Sequence, residues 1–239
     1  MWIKEFIKKI AFGPKRDSES YVEYLRKIGV AVGDRVTIYD PRSICLDETR
    51  PCLVTIGNDV KITRGVTILT HGYDWSVLAG IHDEVVGSAG RVTIGNNVFI
   101  GMNATILKGV RIGDNVIIGA SSLVNKDVPS NCVVAGNPAK VICTIDEYYK
   151  KRKEAQKKEA FELYSSYVDR FDREPTMEVF DEFFWLFHKR GEPLPQKFAS
   201  QMKWHDRFHE TLASLQNSEP EYNGYEDFLK AAREHISEK

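Results

Sequence analysis

Between residues 92 and 128 apolar or small side chains recur every six residues in two rows. Ile94, Ile100, Ile106, Ile112, Ile118 and Val124 form one row; Val92, Val98, Ala104, Val110, Val116, Ser122 and Val128 form a second, two places ahead of it. A period of six fits neither the 3.6 of an amphipathic helix nor the 2 of a flat half-buried strand. Short strands joined by sharp corners do fit it. Each side then points two side chains inward, and Gly95-Asn96 and Gly113-Asp114 supply corner residues that tolerate a positive φ. Ala104 and Ser122, the small members of the second row, stand eighteen residues apart, so a coil with three sides stacks them at one tighter corner. Strands of successive coils would pair in parallel, about 4.8 Å apart. The pattern predicts a mainly β protein built on a triangular parallel β-helix.

Upstream, Ile56, Ile62 and Ile68, with Val54, Val60 and Val66 before them, keep the same phase. Val32, Ile38 and Ile44 extend it, with Val30 and Val36 in the second row. Arg50 falls on an inward place, so the segment around Pro51 is expected to bulge outward. From Ile68 to Ile94 the spacing is four sixes plus two, and residues 72–91 carry no clean repeat, which predicts an excursion loop. Ahead of the coil, Trp2, Ile3, Phe6, Ile7 and Ile10 share one face of a short helix, with Lys4 and Lys8 beside it. After it the chain turns polar and aromatic, reading as helices broken near Glu174-Pro175, Gly191 to Pro195 and Ser218 to Pro220. Three zones follow: an N-terminal helical segment at 1–28, the coil at 29–143 with its excursion at 72–91, and a C-terminal helical region at 144–239.

Charge and composition narrow the function classes. With 33 Lys+Arg against 34 Asp+Glu, the chain lacks the basic excess of a dedicated nucleic-acid binder. Apolar residues at 42% and charged ones at 28% suit a globular protein. No apolar run approaches the ~20 residues of a membrane span, and lysines interrupt the place where a signal peptide keeps its apolar core. A cytoplasmic protein is expected, its N-terminal helix either capping the open end of the coil or lying peripherally on the inner membrane surface. Cys45, Cys52, Cys132 and Cys143 form no CxxC pair and read as reduced, mostly buried side chains. His205 and His209 have helical i,i+4 spacing, but the glutamate that follows the first histidine in zinc proteases is absent, so no metal is expected.

The run from Ile94 to Ile142, closed by Asp127-Val128-Pro129 and Gly136-Asn137-Pro138-Ala139-Lys140, resembles the hexapeptide-repeat acyltransferases. It is most similar to the sugar and polysaccharide O-acetyltransferases of the maltose and galactoside type. The resemblance covers residues 54–143 well, 30–53 loosely and the two ends hardly at all. It implies a left-handed coil, which general chirality rules do not give. It also implies a homotrimer, with acetyl-CoA as acyl donor in the groove between neighbouring subunits and no metal. Transfer would be direct, a histidine taking the acceptor's proton as its oxygen attacks the thioester.

Of six histidines only His71 and His82 fall in the coil zone. The resemblance places the catalytic base at His71, where the last upstream strand gives way to the excursion. His82, within the loop, is a candidate acceptor contact. Asp74 and Trp75 either orient the imidazole and bind a sugar or merely pin the loop. The resemblance carries donor contacts to Met102, Ala120, Asn125, Lys126 and Lys140. Four positions depart from the family: Met102 stands for a serine, Asn125 for a threonine, Phe99 for a tryptophan and Cys143 for an arginine. The sugar contacts of the galactoside enzymes are not recognisable around 40–53. The expectation is an acetyl-CoA-dependent O-acetyltransferase acting on a hydroxyl of a sugar or polysaccharide precursor. An N-acetyltransferase acting on an amino sugar, or a non-catalytic β-helix scaffold, stays open beside it. A carbonic-anhydrase-like metal site would need a third histidine in the coil.

Overall fold

A computed structural model describes residues 10–203 and 207–237, and the chain divides into two compact units, Met1–Tyr148 and Tyr149–Lys239. In the first unit the chain visits three parallel sheets in rotation. The first sheet holds Ala31–Val32, Val54–Ile56, Val92–Ile94 and Arg111–Ile112. The second holds Thr37–Ile38, Lys61–Ile62, Val98–Ile100, Val116–Ile118 and Cys132–Ala135, and the third Cys45–Leu46, Thr67–Ile68, Thr105–Ile106 and Leu123–Val124. In the regular part each strand pairs with the one eighteen residues later, as Thr93 with Arg111 and Val98 with Val116. Every member of both six-residue rows from Val92 to Val128 is buried. Thr105 pairs with Leu123, which sets Ala104 beside Ser122 as the spacing requires.

The corners work differently from the expectation. The positive φ falls on Asn97 and Asn115, two places after the glycine. The glycines answer to crowding instead: a Cβ on Gly95 would stand 2.7 Å from the Gly113 carbonyl carbon. The asparagines form a ladder across coils, Asn97 Nδ2 donating to Asn115 Oδ1 and Asn115 Nδ2 to Asn131 Oδ1, both at 2.8 Å. The two rows form one continuous core, so a cavity anywhere in it is felt by the coils on both sides. Ile100→Ala, at a fully buried place, is expected to cost about 2–5 kcal/mol. Urea unfolding should show this as a lower midpoint with the slope unchanged.

Two departures from the repeat shape the site. Leu46, and not Ile44, stands beside Ile68, because the turn Pro41–Ser43 shifts the frame by two residues. Ile44 stays buried all the same. Beyond Leu46 the chain leaves the repeat and returns through the turn Pro51–Leu53, the bulge that Arg50 predicts. The excursion after Ile68 contains a helix, Trp75–His82, with no buried residue. It returns along its own root, with His71 bridged to Ala89 and Gly90 N–H donating to Thr70 O at 2.8 Å.

The coil is closed at both ends. The helix Ser18–Ile28 opens with Asp17 accepting from Ser20 N–H at 2.8 Å and stops at Gly29, whose φ is 105°. Its Tyr21, Val22 and Leu25 join the same core as Val30, Ile38 and Leu46. Trp2, Ile3, Phe6 and Ile7 of the expected apolar face lie outside the described residues, and Ile10 is exposed. At the far end Lys140–Thr144 pairs antiparallel with Cys132–Ala135 and covers its edge.

The helix Ile145–Phe171 begins in the first unit and runs into the second. The second unit adds Gln196–Lys203, Phe208–Gln216 and Tyr225–Ser237 around an aromatic core that includes Phe161, Phe180, Phe184, Phe187, Phe198 and Phe228. The helix breaks fall at the proline segments. In the lysine- and arginine-rich stretch 150–158 Arg152 pairs with Glu159 and Lys157 with Glu221, in place of the Glu154–Lys158 pair that i,i+4 spacing suggests. His205 lies outside the described residues. All four cysteines are free, but only Cys132 is buried; Cys45 points outward between the inward Ile44 and Leu46. Among the described residues no helix is long and apolar enough to cross a membrane.

Candidate active site

Thr70 and His71 sit where the strand Thr67–Ile68 ends and the excursion departs. Asp47 takes the same corner one coil earlier, its N–H donating to Ile68 O at 3.0 Å. The carboxylate is buried and fully engaged. Oδ1 accepts from the Thr49 N–H at 3.0 Å and the Thr49 hydroxyl at 2.6 Å; Oδ2 accepts from the Thr70 hydroxyl and, at 2.5 Å, from His71 Nδ1–H. Burial pushes this carboxyl up, but the hydrogen bonds from Thr49, Thr70 and His71 outweigh it and hold Asp47 well below the usual carboxylate range. An ionised Asp47 brings no hydrogen to the contact, so Nδ1 must carry it and Nε2 is left with a free lone pair. That Nε2 is buried and has no hydrogen-bond partner. An oriented imidazole with a bare, dry nitrogen is the equipment of a general base.

Around it the loop is aromatic. Tyr73 packs edge-on against His71 with centroids 5.0 Å apart, and Trp75 lies 6.4 Å from Tyr73. Tyr73 therefore links His71 to Trp75. Asp74 precedes the helix Trp75–His82 without capping it, and its Oδ1 crowds Gly72, where a Cβ would stand 2.5 Å from it. His82 is exposed in the helix's last turn.

The residues carried over for the donor are all exposed and fall in separate places. Leu69 N–H donates to Ile106 O and Leu107 N–H to Val124 O, so Asn125 and Lys126 follow in register onto the corner that carries His71. Met102 and Ala120 occupy the corner between the second and third sheets, where Ser121 N–H donates to Met102 O at 2.7 Å. They stand at the opposite edge of the third sheet from His71. Lys140 opens the closing antiparallel strand. Sequence reasoning missed Asp47, Thr49, Thr70 and Tyr73. A signal for Asp47 existed: it follows an apolar residue of the third sheet at the corner where Leu69 and Thr70 follow Ile68.

Comparison with known proteins bears on the coil. The family pattern described as bacterial transferase hexapeptide (six repeats) matches residues 91–126. Polysialic acid O-acetyltransferase of Escherichia coli O1:K1 / APEC is 41% identical over 114 residues, 47% of this chain and 36% of that protein. The 2,3,4,5-tetrahydropyridine-2,6-dicarboxylate N-acetyltransferase of Enterococcus faecalis is 48% identical over 79 residues, 33% of each. Protein CapG of Staphylococcus aureus is 44% identical over 128 residues, 52% of this chain and 71% of CapG. The chain belongs to the hexapeptide-repeat acetyltransferase family. It spans most of CapG but only about a third of the two named acetyltransferases. In this hexapeptide-repeat acetyltransferase the matched segment 91–126 holds Met102, Ala120, Asn125 and Lys126, whereas Asp47 and His71 lie ahead of it.

Proposed function

We propose that the chain transfers an acetyl group from acetyl-CoA to a hydroxyl of a sugar or polysaccharide precursor, with His71 as general base. The observation that carries this reading is the buried, unpartnered Nε2 of an imidazole whose other nitrogen is held by Asp47. His71 Nε2 takes the acceptor's proton as that oxygen attacks the thioester carbonyl. Asp47 stabilises the imidazolium so formed, and His71 returns the proton to sulfur as the carbon–sulfur bond breaks. Asp74 and Trp75 lie where a sugar would be met, and His82 is a further acceptor contact.

The surface residues Met102, Ala120, Asn125, Lys126 and Lys140 fit a long, flexible, anionic donor: exposed backbone at two small-turn corners, and lysines for phosphate. Met102 and Ala120 lie across a sheet from His71, so a donor that met them all would span that sheet or lie between two copies. A left-handed triangular coil assembled as a homotrimer, with the donor between subunits, accounts for both corners. The similarity to an N-acetyltransferase favours transfer to nitrogen as the second reading, with an amino sugar as the acceptor, since the same base serves an amine. A scaffold would have no need of the Asp47–His71 pair.

The test is calorimetric binding of acetyl-CoA together with thiol release in the presence of nucleotide sugars, simple glycosides and amino sugars. Acceptor-dependent release is expected. Absence of acetyl-CoA binding would make the scaffold the better account.

A further inference from the structure

Lys108 is placed beside His71 by the coil itself. Leu107 stands in register with Leu69, so Lys108 comes to the corner of Thr70. Its half-buried ammonium donates to the hydroxyl of Ser88, in the returning limb of the excursion. The same nitrogen lies 3.7 Å from the point a Cβ on Gly72 would occupy. Among the described residues it has no carboxylate within ion-pair reach. Some other cations of the first unit do, as Lys15 meets Glu48, Arg35 meets Asp59, and Arg42 and Arg64 share Asp40. Asp74 approaches Gly72 as well but does not pair with the ammonium, so two opposite charges bracket the glycine next to the base.

A half-buried ammonium satisfied only by a neutral hydroxyl keeps part of its desolvation cost uncompensated, and an arriving anion relieves it. We propose that Lys108 binds an anionic group of the acceptor, a carboxylate or phosphate carried by the sugar. The substrate class is then an acidic sugar or acidic glycan. Its reacting hydroxyl faces His71 Nε2 and its charge meets Lys108, while Asp74 is left to accept from a neighbouring hydroxyl. This rests on the transferase reading above. The other source of the same chemistry is the donor's own phosphates.

The experiment compares wild type, Lys108→Met and Lys108→Arg in the full chain. The acceptors are methyl glucuronide, methyl galacturonide and N-acetylneuraminate, each beside its neutral methyl ester, with acetyl-CoA varied separately. Wild type is expected to prefer the free acid by about 10- to 100-fold in kcat/KM. Lys108→Met should erase that preference through the acceptor KM, Lys108→Arg should keep most of it, and the KM for acetyl-CoA should not move. Equal use of acid and ester by wild type, failure of every acid to react while acetyl-CoA binds, or equal losses on acid and ester in Lys108→Met overturns the assignment. A raised KM for acetyl-CoA in Lys108→Met also overturns it and gives the ammonium to the donor. Failure to bind acetyl-CoA at all would instead remove the transferase reading itself.

Discussion

His71→Ala is expected to lower acceptor-dependent thiol release by about a hundredfold to ten-thousandfold, the range of a positioned general base. The loss should fall on kcat, because the ring's reacting nitrogen binds nothing in the resting protein. Acetyl-CoA should bind as before by calorimetry, since Asn125 and Lys126 stand two coils further along the His71 corner and Met102 and Ala120 at another corner. Stability should change little: Asp47 loses one donor but keeps the two hydrogen bonds from Thr49 and the one from Thr70. A variant that kept more than a fifth of the wild-type rate would remove His71 from the chemistry.

Asp47→Asn should cost nearly as much by another route. The carboxylate is ionised and accepts only, and this dictates that the hydrogen sits on His71 Nδ1. An amide at the same place offers its own N–H to the imidazole, which then turns its lone pair inward and leaves the hydrogen on Nε2. The expected loss is about 10²- to 10⁴-fold in kcat with an unchanged acetyl-CoA KM. Melting curves give an independent reading of the same residue. Because the folded-state pKa of Asp47 is depressed, its contribution to stability is fully present above the unfolded carboxylate's value of about 4. It is lost as pH falls through the lower folded value. The Tm gap between wild type and Asp47→Asn should therefore hold from neutral pH to about 4 and close below it. A gap that does not respond to pH would mean that the charge of Asp47 is not what it contributes.

The coil was legible because its interior admits one solution: two inward places on each side, filled every six residues. His71 was legible for the opposite reason, since it stands where that repetition stops. Asp47 was not. It sits in the stretch where the turn Pro41–Ser43 slips the frame by two and the bulge around Pro51 breaks it, so no period marks it as inward. Its burial comes from a pairing partner more than twenty residues on. The helix Trp75–His82 was hidden too, because Val77, Leu78 and Ile81 are exposed and leave no buried face to read. In the second unit the aromatic clustering and the proline breaks foretold helices, but the Lys157–Glu221 ion pair depends on how distant segments meet, which spacing along one helix does not encode, and Arg152 reaches two turns along its own helix to Glu159.

Val54–Ile56 pairs with Val92–Ile94 in the same frame in which Val92–Ile94 meets Arg111–Ile112, although the first pair is separated by twenty residues more than the second. The scaffold thus registers neither the length nor the content of what lies between Thr70 and Gly90. Closing a loop twice as long costs only about 0.6 kcal/mol. On the proposed reading, descent can therefore rewrite this stretch, lengthening, trimming or exchanging it, while the donor corners and the base at its root stay where they are. Acceptor choice and acyl supply become separately heritable properties of one chain.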